Sequence, residues 1–245
     1  MVLSIVIPAY NEKNNILKTL ERITRFLNNK DYSYEIIIVD DASKDRTIEV
    51  VENFSQANHI PIQILKNEIN FGKGLSVKKG VLLSKGEFVL FTDADLSTPI
   101  EEIDKLLPYI RKGYDVVIGS RALKDSSLLI RQPWYRENMG KIFNLFVQVL
   151  IMRGIKDTQC GFKLFKNEVA KMIFSKTKIN RFAFDVEVLL IARKLGFKIK
   201  EVGVIWLNSF DSKIHIIEDS FRMLIELFLI FIYNLIGKYK NYERL

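Results

Sequence analysis

Two short segments, EIIIV at residues 35–39 and EFVLFT at residues 87–92, run apolar through consecutive positions without polar alternation. Successive side chains of a strand point to opposite faces, so such a run suits a strand covered on both sides, as in a parallel sheet flanked by helices. The neighbouring sequence supplies the helices. Between residues 11 and 29, Ile16, Leu20, Ile23 and Leu27 recur at three- and four-residue spacing, the stripe of an amphipathic helix. Asp45 stands where it can cap a second helix that turns Ile48, Val51 and Phe54 inward. Strand candidates at 3–7, 62–65 and 115–118 and helices at 74–84 and 100–111 complete a β/α alternation. Pro99 falls near a first helical turn, where its missing N–H costs little.

The expectation is an α/β chain with a Rossmann-like, mostly parallel sheet. Beyond residue 121 the pattern is less regular: a loop over 122–133, a helix over 134–153, a strand over 161–165, a helix over 184–195, a strand over 199–206, and a long, very apolar helix over 215–237. The single cysteine, Cys160, excludes an internal disulfide, and with only His59 and His215 beside it a structural zinc site is excluded too. Cys160 is expected to be an inert buried thiol, and the two histidines surface or packing residues. The amino end enters the first strand without the basic stretch and apolar core of a secretory leader. A cytosolic chain, or one on the cytosolic face of a membrane, is expected.

Four polar clusters bear on function: Ala9-Tyr10-Asn11-Glu12, Asp40-Asp41-Ala42-Ser43, Asn70-Phe71-Gly72-Lys73-Gly74 and Asp93-Ala94-Asp95. They fall at predicted strand ends or just before a helix, and open α/β sheets bind ligands outside the carboxyl ends of their strands. A nucleotide-type ligand is the natural candidate. Asp93 and Asp95 present hard oxygens suited to Mg²⁺ or Mn²⁺, which commonly share phosphate oxygens and water. The glycines at 72 and 74 permit a tight turn, and Lys73 can neutralise a diphosphate, although the spacing is not that of a Walker A loop.

Charge is unevenly placed. Of a formal net charge of +8, residues 111–181 hold 15 Lys and Arg against 5 Asp and Glu, whereas residues 1–110 hold 13 against 16. A basic block of this kind meets nucleic acid, an anionic membrane or a phosphorylated substrate, or is simply a solvated face. Basic motifs interleaved with aromatics are missing, so nucleic acid is not expected.

Taken together, SIVIPAYNE, IIIVDDASKD, NFGKG, FTDADLST and VIGSR resemble a family 2 glycosyltransferase of the GT-A fold. IRQPWYRENMGKIFN, DTQCGFKLF and RFAFDVEVLLIA are more particular and resemble the dolichyl-phosphate β-glucosyltransferases, the similarity covering residues 2 to 215. The resemblance implies that Pro8, Ala9, Tyr10 and Glu12 line the base and ribose pocket, with Asp40, Asp41, Lys73 and Ala94 also at the donor. Asp93 and Asp95 would hold Mg²⁺ or Mn²⁺ on the diphosphate, and Ser97 stands where related mannosyltransferases carry a further ligand. Asp95 and Arg121 would be catalytic, and Arg121, Arg131, Arg136 and Lys213 would grip the acceptor phosphate. Asp185 and Glu187 are expected to be structural or to contact the sugar.

The implied reaction is inverting, metal-dependent transfer of a hexose, with UDP-glucose favoured, to a polyprenyl or dolichyl phosphate. GDP-mannose or UDP-N-acetylglucosamine are the rival donors, and a non-catalytic nucleotide-sugar-binding membrane scaffold is the rival class. The expected organisation is a GT-A domain over 1–212, with a nucleotide-sugar half (1–120) and an acceptor half (121–212), followed by an amphipathic membrane-facing segment over 213–245. Residues 223–236 are apolar apart from Glu226 and Asn234, about 21 Å of helix, where crossing a bilayer takes about 30 Å. This segment is expected to lie in the interface with Lys238, Lys240 and Arg244 near headgroups, and residues 142–152 are a second lipid-contact candidate. Eukaryotic relatives in the resembled family carry an N-terminal apolar anchor not seen here, so a peripheral position on a prokaryotic cell membrane is expected.

Overall fold

The computed structural model describes residues 2–130, 134–207 and 216–239. Its centre is a seven-stranded sheet of β1 (Val2–Ala9), β2 (Ser33–Asp40), β3 (Ile62–Lys66), β4 (Phe88–Thr92), β5 (Val116–Ser120), β7 (Phe162–Lys166) and β8 (Ile199–Gly203), ordered β3-β2-β1-β4-β7-β5-β8. All neighbours run parallel except β7, which is antiparallel to both β4 and β5. A second, two-stranded parallel sheet pairs β6 (Ser127–Ile130) with β9 (Ile205–Leu207).

The unbroken apolar runs divide as strand geometry demands. Ile36 and Ile38 enter one core layer with Leu3, Ile5 and Leu90, under α1 (Ile16–Leu27) and α4 (Ile103–Arg111). Ile37 and Val39 enter the opposite layer with Val6, Val89 and Phe91, under α3 (Lys73–Leu83), α6 (Asn167–Lys176) and α7 (Phe184–Lys194). The predicted stripe of α1 is fully inward. In α2 (Thr47–Asn58), Val51 and Phe54 are buried and Ile48 is half-buried. The N-cap position of α2 is Arg46 rather than Asp45, which stands one residue earlier and accepts the Thr47 N–H at 2.9 Å.

The second half departs from expectation in three places. The segment expected as a loop over 122–133 contains β6. The single strand expected over 199–206 divides at Val204 between the two sheets, at a point where the Asp125 side chain occupies the space a Cβ on Gly203 would take. Helix α6 was not anticipated. A four-residue ladder and a strand that changes sheets are set by partners distant in sequence, so local periodicity carries little of either.

Helix α5 (Trp134–Leu150) packs against α8 (Ile216–Leu235). Both bury apolar side chains, including Val147 and Ile230, yet both also expose them. On α5 the outward set is Ile142, Leu145, Phe146 and Val149; on α8 it is Phe221, Leu224, Ile225 and Phe228. Each repeats at i, i+3, i+4 and i+7, the spacing of one helix face, on the side normally polar. Among the described residues no helix is long and apolar enough to cross a membrane.

Candidate active site

Strands β1, β2 and β4 end side by side, and the loops leaving them carry non-glycine residues with positive φ: Asn11 (55°), Ala42 (61°) and Leu96 (46°). Such backbone is costly and persists where surrounding contacts enforce it. Here the Asn11 N–H donates to Ser43 Oγ at 2.9 Å, the Lys44 N–H to Asn11 Oδ1 at 2.8 Å, and the Glu12 N–H to Thr47 Oγ1 at 2.8 Å. Pro8 and Ala9 are buried at the end of β1, with Tyr10 and Glu12 half-buried at the rim. Asp40 accepts the Ser43 N–H at 3.1 Å through Oδ2, while its buried Oδ1 has no partner among the described residues.

Asp41 works on a different loop. Its Oδ1 accepts Asn67 Nδ2 at 2.8 Å and the Phe71 N–H at 3.0 Å, and its Oδ2 accepts the Gly72 N–H at 2.7 Å. The carboxylate therefore shapes the glycine turn that opens α3, where Gly72 adopts φ 111°. That turn delivers Lys73, whose Nζ lies 2.6 Å from Asp93 Oδ1. Burial disfavours the ammonium, but Asp93, Asp185 and Asp95 together outweigh it and raise the Lys73 pKa.

Asp93 and Asp95 leave the end of β4 half-buried. Asp95 accepts the Ser97 N–H and Ser97 Oγ, each at 2.9 Å, and the intervening Ala94 carbonyl accepts Thr19 Oγ1 at 2.7 Å. Burial and then Asp93 push the Asp95 pKa upward. Two carboxylates repelling one another in a poorly solvated corner, already drawing in Lys73, fit a divalent cation by charge and by hard oxygen chemistry. Among the described residues no cluster of three or more His, Cys, Asp or Glu that could hold a metal ion forms.

Because β7 runs against its neighbours, its amino end lies at the edge where β4 and β5 finish. Residues 157–161, which lead into it, thereby enter the site. Gly161 faces Asp93 so closely that a Cβ would stand 2.6 Å from Oδ1 and nearer still to Oδ2. Gly161→Ala is expected to displace the Asp93 carboxylate and weaken the affinity of the Asp93–Asp95 corner for Mn²⁺ by at least about 10-fold, roughly 1.4 kcal/mol. Calorimetric titration checks it, and unchanged affinity would remove Gly161 from the site.

At the other end of this loop, Asp157 grips Arg121 through Nε at 2.7 Å, Nη2 at 2.8 Å and the backbone N–H at 2.9 Å. Burial opposes the Asp157 charge, but Arg121 overcomes it and holds the carboxyl at a pKa of about 2. The Trp206 ring lies 5.6 Å from the guanidinium, and the Leu207 N–H donates to the Ser97 carbonyl at 2.7 Å, so the small sheet is tied to the Asp95 turn. Arg131 and Lys213 lie outside the described residues. Arg136 belongs to α5, with its side chain outside them.

Beneath the site, fully buried Lys163 of β7 pairs with Asp185 of α7 and donates to the Cys160 carbonyl at 2.6 Å. Glu187 is buried with three donors: the Lys178 and Ile179 N–H groups, both at 2.9 Å, and the Tyr239 hydroxyl at 2.7 Å. The Cys160 thiol is buried, and that burial, followed by Asp157, pushes its pKa up to about 11. His59 is exposed at the left-handed end of α2, and His215 lies outside the described residues. Sequence reasoning singled out neither Asp157, Gly161 nor Lys163 individually, although all three lie in the DTQCGFKLF segment.

Residues 4–174 match the family model described as "Glycosyl transferase family 2". The chain is 39% identical over 249 residues to a dolichyl-phosphate beta-glucosyltransferase of Dictyostelium discoideum, covering 97% of this chain and 76% of that protein. It is 34% identical to the protein of the same name from Saccharomyces cerevisiae, covering 99% and 78%. Among solved structures it is similar to glucosyl-3-phosphoglycerate synthase from Mycobacterium tuberculosis in complex with Mn²⁺, UDP and glucosyl-3-phosphoglycerate. That likeness has a TM-score of 0.69 at 16% identity, covering 94% of this chain and 79% of that one.

Proposed function

The chain belongs to glycosyl transferase family 2 and is a glycosyltransferase, and from that premise we propose that it transfers glucose from UDP-glucose to dolichyl or a related polyprenyl phosphate. The observation that carries the reading is the Asp93–Asp95 pair with Lys73 at the end of β4, in a chain whose curated relatives bear the name of that activity. On this reading residues 1–120 hold the donor, residues 121–212 the acceptor, and residues 213–245 contact the membrane.

Each part of the site then has a task. The orphan Oδ1 of Asp40 accepts a donor from the nucleoside, beside Pro8, Ala9, Tyr10 and Glu12. Asp93 and Asp95 hold Mg²⁺ or Mn²⁺ against the diphosphate, with Lys73 and Ala94 adjoining. When bound, the metal supplies stabilisation of negative charge on the departing nucleoside diphosphate. The acceptor is a phosphate monoester whose second pKa is about 6, so it is largely dianionic at neutral pH and needs no general base. Asp185, buried and paired with Lys163, and Glu187, buried with three donors, suit this chemistry as supports. Asp157 occupies Nε and Nη2 of Arg121, which orients Nη1 for the lipid phosphate, with Arg131, Arg136 and Lys213 as further cationic partners. In-line attack on an α-linked donor inverts the anomeric carbon and leaves a β-linked product.

The outward apolar stripes of α5 and α8 support a peripheral seat on a membrane surface, which brings the enzyme to a lipid acceptor. Nothing in the two curated relatives supports the expected prokaryotic membrane, since both come from eukaryotes.

The test combines the purified chain, vesicles containing dolichyl phosphate, Mg²⁺ or Mn²⁺, and labelled UDP-glucose, GDP-mannose or UDP-N-acetylglucosamine in parallel. A chloroform-soluble, acid-labile product is expected from UDP-glucose alone. Product from another donor reassigns the sugar, and no product from any donor leaves the reading without support.

A further inference from the structure

We infer that Tyr239 and Glu226 are positioning residues, through which the C-terminal helix α8 holds the segment that shapes the Lys73 turn and so sets the affinity for the donor nucleotide. The inference deepens the proposed function and rests on its assignment of Lys73 and Asp93 to the donor diphosphate.

The segment 177–183 joins α6 to α7 and is gripped from two sides. Toward the donor, the Leu75 N–H donates to the Asn180 carbonyl at 3.0 Å, and Lys78 Nζ donates to the Thr177 carbonyl at 2.9 Å. The two chains touch backbone to backbone. A Cβ on Gly72 would stand 2.6 Å from the Asn180 carbonyl oxygen, and one on Gly74 would stand 2.8 Å from that of Ile179. Residues 179 and 180 therefore cannot shift without moving the turn that carries Lys73, and with it the contact to Asp93.

From the opposite side the same segment is held by side chains. Glu187 binds the Lys178 and Ile179 N–H groups and is itself bound by the Tyr239 hydroxyl. Glu226 of α8 accepts the Ala183 N–H at 3.0 Å. Tyr239 lies beyond the end of α8. The chain turns back at Gly237, φ 77°, and drives the Tyr239 ring fully into the core, edge-on to Tyr233 at 6.4 Å. An apolar plug would fill that space without burying a carboxylate and a phenol. A fully satisfied polar network fixes one arrangement where an apolar contact tolerates several.

The experiment uses the full chain with Tyr239→Phe and Glu226→Met, each of which removes one of these hydrogen bonds, measured for UDP affinity in Mn²⁺ and for steady-state transfer. A buried hydrogen bond to a charged partner is of the size that moves an equilibrium about 10-fold. The Kd for UDP and the KM for UDP-glucose are expected to rise by about that factor. The KM for the lipid phosphate and binding to vesicles should stay within about twofold. In a Lys73→Ala background the Tyr239→Phe effect on UDP affinity should vanish, whereas independent distant sites would add. Unchanged UDP affinity in a folded variant, lowered thermal stability alone, or strict additivity with Lys73→Ala overturns the inference. If Tyr239→Phe does not fold, Glu226→Met, which is close in size and cannot accept the Ala183 N–H, decides it. Wild-type protein that binds UDP but glucosylates no lipid phosphate defeats the proposed acceptor and leaves this inference testable by affinity. Failure of the wild type to bind UDP defeats both.

Discussion

Asp95→Ala is expected to lower glucosyl transfer by about 1,000-fold, close to 4 kcal/mol of lost transition-state stabilisation, while leaving the protein at least as stable as before. The two halves of that result come from one geometry. Asp95 stands beside Asp93 at the end of β4, partly shielded from water, and burial followed by the neighbouring carboxylate raises its pKa. A carboxyl whose folded pKa exceeds its unfolded value destabilises the folded chain once pH rises above the unfolded value, 3.8. At neutral pH, removing it relieves repulsion. What it loses is half of the oxygen pair proposed to hold the cation on the diphosphate. The alanine variant also forfeits the two hydrogen bonds from Ser97, so Asp95→Asn, which retains acceptor capacity, serves as the control. Transfer rates and thermal melts of the three proteins check the expectation. Near-normal turnover in both variants would remove Asp95 from the mechanism and favour a non-catalytic nucleotide-sugar-binding protein if biological function persisted.

Lys163→Met is expected to have the largest effect on stability, a loss of about 3–5 kcal/mol, because it strands the buried Asp185 carboxylate. Lys163 is fully buried at the centre of the sheet, its ammonium shared between Asp185 and the Cys160 carbonyl and set 5.1 Å from the Phe91 ring. Burial already raises the Asp185 pKa, with Lys163 the foremost opposing influence. Without that cation the folded-state pKa rises further. The sign follows: a carboxyl that binds its proton more tightly in the folded state makes stability fall as pH rises from the unfolded value, 3.8, through the folded one. The deficit of the variant should therefore be larger at pH 8 than at pH 5, measured by urea unfolding at both. Lys163→Met combined with Asp185→Leu should recover most of the loss, since replacing both members of a buried pair with apolar residues is often neutral. A pH-independent deficit, or a double variant no better than the single one, would show that Asp185 is not the stranded group.

Residues 1–120 were legible in sequence because their signals are local. An unbroken β-branched run needs only its own residues to announce a strand covered on both faces, and Ile36 through Val39 do divide between the two layers. Asp93 and Asp95 sit two residues apart after such a strand, so their approach follows from chain geometry alone. Residues 121–212 were less legible. The strand expected over 161–165 exists as β7, yet nothing within it encodes that it inserts antiparallel between β4 and β5. That direction brings Gly161 against Asp93 and Asp157 onto Arg121.

The apolar helix at the C-terminus illustrates the same division. Its sequence announces length and hydrophobicity, and an apolar span too short to cross a bilayer. A helix apolar on most of its circumference does not reveal which face turns inward. Packing against α5 and the capture of Ala183 by Glu226 decide that Phe221, Leu224, Ile225 and Phe228 face out. Sequence alone determined the α/β class, the carboxylate pair, the lysine turn and the basic middle third, all functions of spacing along the chain. The tertiary structure decided which buried charges are paired, which carboxylate oxygen is left open, and how the C-terminal helix reaches the segment between α6 and α7. Those depend on contacts between residues tens to more than a hundred positions apart, whose formation is governed by which surfaces the fold closes together rather than by any local pattern.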